Sequence, residues 1–303
     1  MEGESQFFIA STTKLYTTAL VLQLAEAKRL SLDDPITAHL PPALTQKLHV
    51  FRGRDASDQI TIRHLLSHRS GLADYFSAPR SGSSLEKELL TGQDRKWDVQ
   101  QATAWARELG AAFPPGQGRK ALYSDTNYQL LGAVIEQCSG DSFEEALRQR
   151  ILLPLGLNDT WLFQAAGKKE VTPLRAGARQ LHIPLAMQSF GPDGGIVSTA
   201  RELLIFLRAF FEGQLLDQRR LPPLEDFRRI MFPLQYGVGI MRFALPWIFA
   251  PFGKVPTFLG HSGLSGAFAF YCPEKQIYLA GTVNQIENPA TAFQLLTRIA
   301  SAF

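Results

Sequence analysis

Near the start of the chain a serine is followed three residues later by a lysine, as Ser11-Thr12-Thr13-Lys14. On a helix that spacing puts both side chains on one face. An amine within hydrogen-bond reach helps deprotonate a hydroxyl, and a helix N-terminus adds electrostatic help. The pair therefore reads as an activated nucleophile for acyl transfer. The pattern alone is weak, since about one such pair arises by chance in a chain of this size. Ser84-Leu85-Glu86-Lys87 is a second instance. Context separates them: Ser11 opens an apolar helical pattern after a short apolar run, whereas Ser84 lies in polar sequence. A plain N-cap is the competing reading of Ser11.

Two other groups could work with it. Tyr123-Ser124-Asp125 follows Pro115-Gly116. A tyrosine on a turn serves as a general base where nearby cations lower its pKa, and otherwise packs with its hydroxyl satisfied. His261-Ser262-Gly263 lies in strand-like sequence, where small residues let a substrate approach the backbone. His64 and His68 have a metal-ligand spacing, but no Glu of an H-E-x-x-H pattern lies between them, so zinc is not expected. Cys138 and Cys272 stand far apart and imply neither a disulfide framework nor a metal site.

These residues need elements to hold them. Apolar positions recur at helical spacing from Ser11 to about Arg29, and Pro35 closes that segment. Residues 75–94 read as a loop, Trp97–Leu109 and Asn127–Gln137 as helices, and 164–188 as irregular. Asp141 is the expected cap of a helix from Phe143 to Leu152, and Thr199 or its neighbour caps one from Arg201 to Phe211. Tyr236–Phe243, Thr257–Gly263, Ala267–Cys272 and Ile277–Val283 read as strands, and Pro289–Phe303 as a final helix. Helices in the middle and consecutive antiparallel strands at the end predict an α/β (α+β) chain with an inserted helical part. The expected division is an α/β subdomain over 1–45 and 190–303 with an all-helical subdomain over 46–189. The aromatic stretch Ala244–Phe252 reads as a packed hairpin arm, with an apolar acyl-pocket wall as the alternative.

Composition excludes several classes. The chain has 303 residues, of which 45% are hydrophobic and 19% charged, a balance that can build a sizeable core. The 31 Lys and Arg nearly match the 28 Asp and Glu and form no long run, so no nucleic-acid footprint is present. No apolar run reaches the length of a membrane span, and the polar start Met1–Gln6 does not read as a secretory signal. The chain as given is therefore expected in the cytoplasm, or exported if an N-terminal segment precedes it.

Ser-x-x-Lys, Tyr-x-Asp and His-x-Gly in that order resemble the serine β-lactamase and penicillin-binding-protein superfamily, in its class C branch. That branch includes D-Ala-D-Ala carboxypeptidases, D-aminopeptidases and family VIII esterases. The segments "LSLDDPI", "ITIRHLLSHRSGL", "FPPGQGRKALYSDTNYQLLGAVIEQCSG", "GPDGGIVSTARELLIF" and "GHSGLSGAFAFYCPEKQIYLA" resemble family blocks and span almost the whole chain. The resemblance implies a β-lactamase/transpeptidase-like fold, an antiparallel sheet flanked by helices, and acyl-enzyme chemistry without metal or organic cofactor. It makes Ser11 the nucleophile, Lys14 its proton-sharing partner and Tyr123 the general base. Asp125, His261, Ser262 and Gly263 would bind or orient substrate. The backbone N–H groups of Ser11 and Leu264 would form the oxyanion hole.

His261 stands where the family usually has Lys, which removes a fixed cation. That favours esterase or peptidase activity over efficient β-lactamase activity. The first reading is a carboxylesterase, with a D-amino-acid peptidase or DD-carboxypeptidase-like enzyme of weak β-lactamase activity as the alternative. A non-catalytic ligand-binding member is the third reading. Substrates would be small esters, β-lactams or short peptides. Asp193-Gly194-Gly195 is expected as a tight turn near the site. Relatives usually carry two strands before the Ser-x-x-Lys helix, and here ten residues precede Ser11. The expectation is a sheet that lacks those strands, with the Ile277–Val283 strand left at an open edge that a homo-oligomer could cover.

Overall fold

The computed structural model describes residues 3–167, 170–217, 222–245 and 256–302. In chain order the helices are α1 (Thr13–Glu26), α2 (Pro42–Thr45), α3 (Ile62–Leu66), α4 (Leu85–Leu90), α5 (Val99–Leu109), α6 (Asp125–Ser139), α7 (Phe143–Leu147), α8 (Leu153–Leu155), α9 (Pro184–Phe190), α10 (Ala200–Phe211) and α11 (Ala290–Ser301). The strands are β1 (Phe7–Phe8), β2 (Val50–Phe51), β3 (Arg54–Asp55), β4 (Trp161–Leu162), β5 (Leu174–Ala176), β6 (Arg179–Leu181), β7 (Ile196–Ser198), β8 (Arg228–Met231), β9 (Leu234–Tyr236), β10 (Met241–Phe243), β11 (Phe258–Ser262), β12 (Ala267–Cys272) and β13 (Ile277–Thr282).

The C-terminal strands form one antiparallel sheet in the order β13-β12-β11-β10-β9-β8. Side chains alternate across its plane, as the period of a strand requires. Ala267 and Ala269 of β12 face the main core with α1 and α10, while Phe268 and Phe270 face a second core with Leu296 of α11. Helices therefore cover both faces. The expected strand Tyr236–Phe243 is instead a hairpin. The N–H of Gly237 donates to the Ile240 carbonyl, and Gly239 sits at φ +81°. A Cβ at Gly239 would lie 2.1 Å from Thr18 Cγ2, so only glycine lets this turn rest on α1.

Helix α1 is buried on almost every side, with Leu15, Tyr16, Leu20 and Leu24 in the core. A helix apolar all round belongs at the centre of a molecule, and α1 packs against α6, whose Leu130, Leu131, Val134 and Ile135 share that core.

Several sequence expectations need correction. Residues 75–94 contain α4, capped by Ser84, whose hydroxyl accepts from Lys87 N–H; the second Ser-x-x-Lys is thus an N-cap. Residues 164–188 contain the β5–β6 hairpin and the start of α9. The span 46–189 carries five short strands with its helices and is not all helical. Ser142, not Asp141, caps α7, while Thr199 caps α10 as expected. Of the stretch Ala244–Phe252, only Ala244 and Leu245 fall among the described residues. Strand β13 stands at the end of its sheet, with β12 its only strand neighbour among the described residues.

Candidate active site

Strand β1 pairs with β7 in the register Phe7↔Ser198 and delivers the chain to a single 3₁₀ turn, Ala10–Thr12, that runs into α1. Ala10 sits at φ +45°, a conformation that costs a non-glycine residue about 1–3 kcal/mol. The strain falls on the residue next to Ser11. Ser11 is half-buried, and Lys14, one turn on, is completely buried.

Lys14 Nζ lies 3.1 Å from Ser11 Oγ, 2.7 Å from the Asp193 carbonyl and 2.7 Å from Asp125 Oδ1. An ammonium has three protons to donate, and these partners take all three. Burial alone would lower the Lys14 pKa, but the charges of Asp125, Tyr123 and Asp193 outweigh it and raise the pKa, so the residue is cationic. The Tyr123 hydroxyl is within hydrogen-bonding reach of both Ser11 and Lys14, and Lys14 Nζ stands 5.3 Å from the Tyr123 ring centroid. Desolvation pushes the Tyr123 phenol up, against the pull of Lys14, so the resting phenol is protonated.

Asp125 opens α6 with its carboxylate on Lys14 and its N–H on Asp74 Oδ1 at 2.9 Å. Asp74 thereby supplies the helix cap that Ser124 does not. Buried and beside Asp125, its carboxyl is pushed up to about 6. Asp193 ends a 3₁₀ turn, as the expected tight turn, and its Oδ2 accepts from the Tyr75 hydroxyl and the Gln129 amide.

His261 is on β11 and fully buried. Its Nδ1 is 2.6 Å from the Ser262 carbonyl, which makes Nδ1 the protonated nitrogen. Burial, with help from Lys14, lowers its pKa to about 3, so the ring is neutral. It packs 6.2 Å from the Tyr123 ring and does not line the cavity described below. Ser262 Oγ is 3.7 Å from Met241 Sδ. Gly263 comes so close to β1 that a Cβ would sit 2.4 Å from the Ile9 carbonyl. With the Ser265 hydroxyl bonded to the Phe8 carbonyl at 2.7 Å, this contact holds Leu264 beside Ser11.

Sequence reasoning missed the residue that sets Tyr123. The His68 carbonyl accepts from Leu122 N–H at 2.9 Å, and His68 Nδ1 accepts from Ser124 N–H at 3.1 Å. His68 thus grips the chain on both sides of Tyr123, by its carbonyl before and its imidazole after, and its ring lies 4.4 Å from that of Tyr123 at a tilt of 32°. Asn127 Nδ2 is 3.1 Å from the same Nδ1. Burial and Lys14 hold His68 well below its usual pKa, which keeps Nδ1 an acceptor. The available signal was its place in a recognisable block; its contact with Tyr123 crosses fifty-five positions and is invisible in sequence.

Ser11 opens onto a cavity of about 60 Å³. Its walls are Leu89 of α4, Leu174 and Leu181 of the β5–β6 hairpin, Met187 and Phe190 of α9, and Ile286. Leu264, Asp125, Asp193 and Glu86 also face it. The apolar wall therefore comes from segments that the sequence pattern had read as loop and irregular chain. Among the described residues, no group of three or more His, Cys, Asp or Glu is placed to hold a metal ion, and no helix is long and apolar enough to cross a membrane.

Comparison with known proteins adds the following. A family model described as Beta-lactamase matches residues 1–302. Penicillin-binding protein 4 of Amycolatopsis lactamdurans is 31% identical over 68% of this chain and 50% of its own length. Esterase EstB of Burkholderia gladioli is 31% identical over 58% of this chain and 43% of its own. The crystal structure of D-amino acid amidase from Ochrobactrum anthropi SV3, complexed with D-phenylalanine, superimposes with a TM-score of 0.80 at 26% identity, covering 100% of this chain and 94% of that one. The chain spans about half the length of the curated relatives it matches first.

Proposed function

The chain belongs to the beta-lactamase family and has its β-lactamase/transpeptidase-like fold, and from this premise we propose that it is a serine hydrolase acting through an acyl-enzyme on Ser11. The observation that carries the reading is Ser11 Oγ at 3.1 Å from a buried, cationic Lys14, with the Tyr123 hydroxyl in reach of both, at the mouth of an apolar cavity.

Ser11 Oγ attacks the substrate carbonyl carbon, and its proton passes to Tyr123 in the phenolate form. The carbonyl π electrons move to the oxygen, which the N–H groups of Ser11 and Leu264 receive. Among the described residues, neither N–H has a backbone partner in the turns, loops and caps. The tetrahedral species then collapses, the bond to the leaving group breaks, and Tyr123 returns the proton to that group. Water then attacks the acyl carbon as the phenolate oxygen takes its proton, the bond to Ser11 Oγ breaks, and Tyr123 passes that proton to Ser11 Oγ, which releases the acid. Lys14 contributes its charge, which favours the phenolate, and holds the Ser11 oxygen as an acceptor.

Small esters with an apolar acyl group are the first substrate class, in keeping with the cavity walls and with the esterase among the relatives. Amides are the second, and the likeness to D-amino acid amidase supports them. The neutral His261 offers a substrate carboxylate no charge, which counts against efficient β-lactam turnover.

A fluorophosphonate probe and a fluorescent penicillin, each applied to wild type and to Ser11→Ala, test the reading. The expected result is fluorophosphonate labelling of wild type that Ser11→Ala abolishes, with weaker penicillin labelling. Labelling that persists in Ser11→Ala, or none in wild type with either probe, overturns it.

A further inference from the structure

A second group of reactive side chains forms where His39, at the end of the 3₁₀ turn Ile36–Ala38, meets the last turn of α6. Cys138 Sγ is 3.3 Å from His39 Nδ1, and His39 Nε2 is 2.9 Å from Asp34 Oδ2. Asp34 Oδ2 also accepts from the Ser31 N–H at 2.8 Å. That N–H and His39 hold the Asp34 carboxyl below the usual carboxylate range, so it is ionised.

The two ring nitrogens have different tasks. A carboxylate only accepts, so Nε2 carries a proton and donates to Asp34. In the neutral ring Nδ1 is then an acceptor, and it takes the hydrogen bond of the thiol. One proton moved across the 3.3 Å contact turns thiol and imidazole into thiolate and imidazolium, and the Asp34 charge stabilises the imidazolium. Burial raises the Cys138 thiol, against the pull of Arg29, so the proton rests on sulfur until a reagent arrives. A thiol bonded to a base that a third group orients is the arrangement of an activated nucleophile. Cys272 differs: it is completely buried, and its thiol donates to Glu274 Oε2 at 3.8 Å.

Access to this sulfur is narrow but real. Cys138 is 6% exposed, and His39 and Asp34 are partly exposed beside it. Asp34 and Arg29 also line a cavity of about 940 Å³. A reagent that reaches the sulfur must be small. We propose that Cys138, with His39 as its base and Asp34 behind it, is a reaction site for hydrogen peroxide. Cys138 Sγ attacks one peroxide oxygen as the thiol proton passes to His39 Nδ1. The S–O bond forms, the O–O bond breaks, and the departing oxygen takes the proton from His39 and leaves as water. Cys138 becomes a sulfenic acid; the sulfur gives up two electrons and the peroxide gains them. This chemistry is independent of Ser11 and of the hydrolase reading.

The test uses Cys272 as an internal reference. The folded protein is exposed to hydrogen peroxide for set times and denatured in dimedone and N-ethylmaleimide, and each cysteine peptide is quantified by mass spectrometry. Cys138 should be oxidised about tenfold or more faster than Cys272 in the folded protein, and at a similar rate in urea. His39→Gln keeps an acceptor for the thiol but no base, and should slow Cys138 about tenfold or more without changing Cys272. Asp34→Asn, at a partly exposed position, should slow Cys138 about threefold or more, and it decides the matter if thermal unfolding shows that His39→Gln does not fold. Cys138 reacting no faster than Cys272 in the folded wild type overturns the inference. So does a folded variant whose Cys138 reacts as fast as that of wild type, since exposure alone would then set the rate.

Discussion

In the proposed reaction, Lys14 and Tyr123 would divide the work of activating Ser11 through their charge states. Because Lys14 is cationic and committed to three acceptors, it is not free to take the serine proton, and the proposed reaction gives that task to Tyr123. Burial raises the phenol, so the base form is a minority species at neutral pH. Below its pKa the phenolate fraction grows about tenfold per pH unit. We expect kcat/KM on a neutral ester to climb from about pH 6 to about pH 9; a plateau already below about pH 8 would assign the base elsewhere. Tyr123→Phe should lower kcat by about 10²–10⁴-fold with KM little changed, as loss of a general base requires. Asp74 gives a stability prediction. Its folded pKa of about 6 lies above the ordinary 3.8, so between these values the folded state binds more protons than the unfolded one. Stability from this group is then greatest at low pH and falls as pH rises through about 4 to 6, by about 3 kcal/mol in all. Asp74→Asn should be more stable than wild type to urea at neutral pH by about 1–2 kcal/mol, and the difference should vanish near pH 4. The spacing of Ser11 and Lys14 was readable in the sequence because a helix turn fixes it. The raised Tyr123 was not, because burial comes from α1, α6 and the sheet together.

At the scale of elements, the site depends on short pieces that hold long-range contacts. His68 follows α3 at φ +54° and clamps the chain before and after Tyr123. His68→Asn keeps an acceptor and tolerates the left-handed backbone, whereas His68→Val loses both. We expect His68→Asn to keep more of kcat than His68→Val, at similar KM, with Ser11 still labelled by fluorophosphonate; equal losses would reduce His68 to a packing role. The cavity wall depends on β5–β6 and α9. Leu181→Trp should fill it, lowering kcat/KM for phenylalkanoyl esters at least tenfold more than for acetyl esters, in a p-nitrophenyl chain-length series. Long periodic segments such as α1, α6 and α10 were legible, since their apolar spacing is local. The β5–β6 hairpin and α4 were not: three-residue strands and a six-residue helix carry too few positions to display a period, and their stability comes from packing on Tyr75, Trp97 and Phe190.

The whole molecule joins three apolar cores, one around α1, one behind the cavity and one between the sheet and α11. Among the described residues β13 has β12 as its one strand neighbour, and most of its residues are half-buried. Outward N–H and C=O groups on such an edge favour pairing with another strand. We expect the protein to self-associate through this edge. Sedimentation should give a mass above that of the monomer, and amide exchange in β13 should slow as concentration rises; a monomeric mass with exchange independent of concentration would contradict this. The sequence by itself determined the order of the three motifs, the helical register of Ser11 and Lys14, the alternating faces of β12, and membership of a family, because each is carried by neighbouring residues or by a linear pattern. Only the tertiary structure decided that Lys14 is saturated, that His261 is neutral and set behind Tyr123, that His68 holds Tyr123, and that segments far apart in the chain line one apolar cavity with Ser11. Those facts depend on desolvation and on contacts between residues tens to hundreds of positions apart, which folding alone brings together.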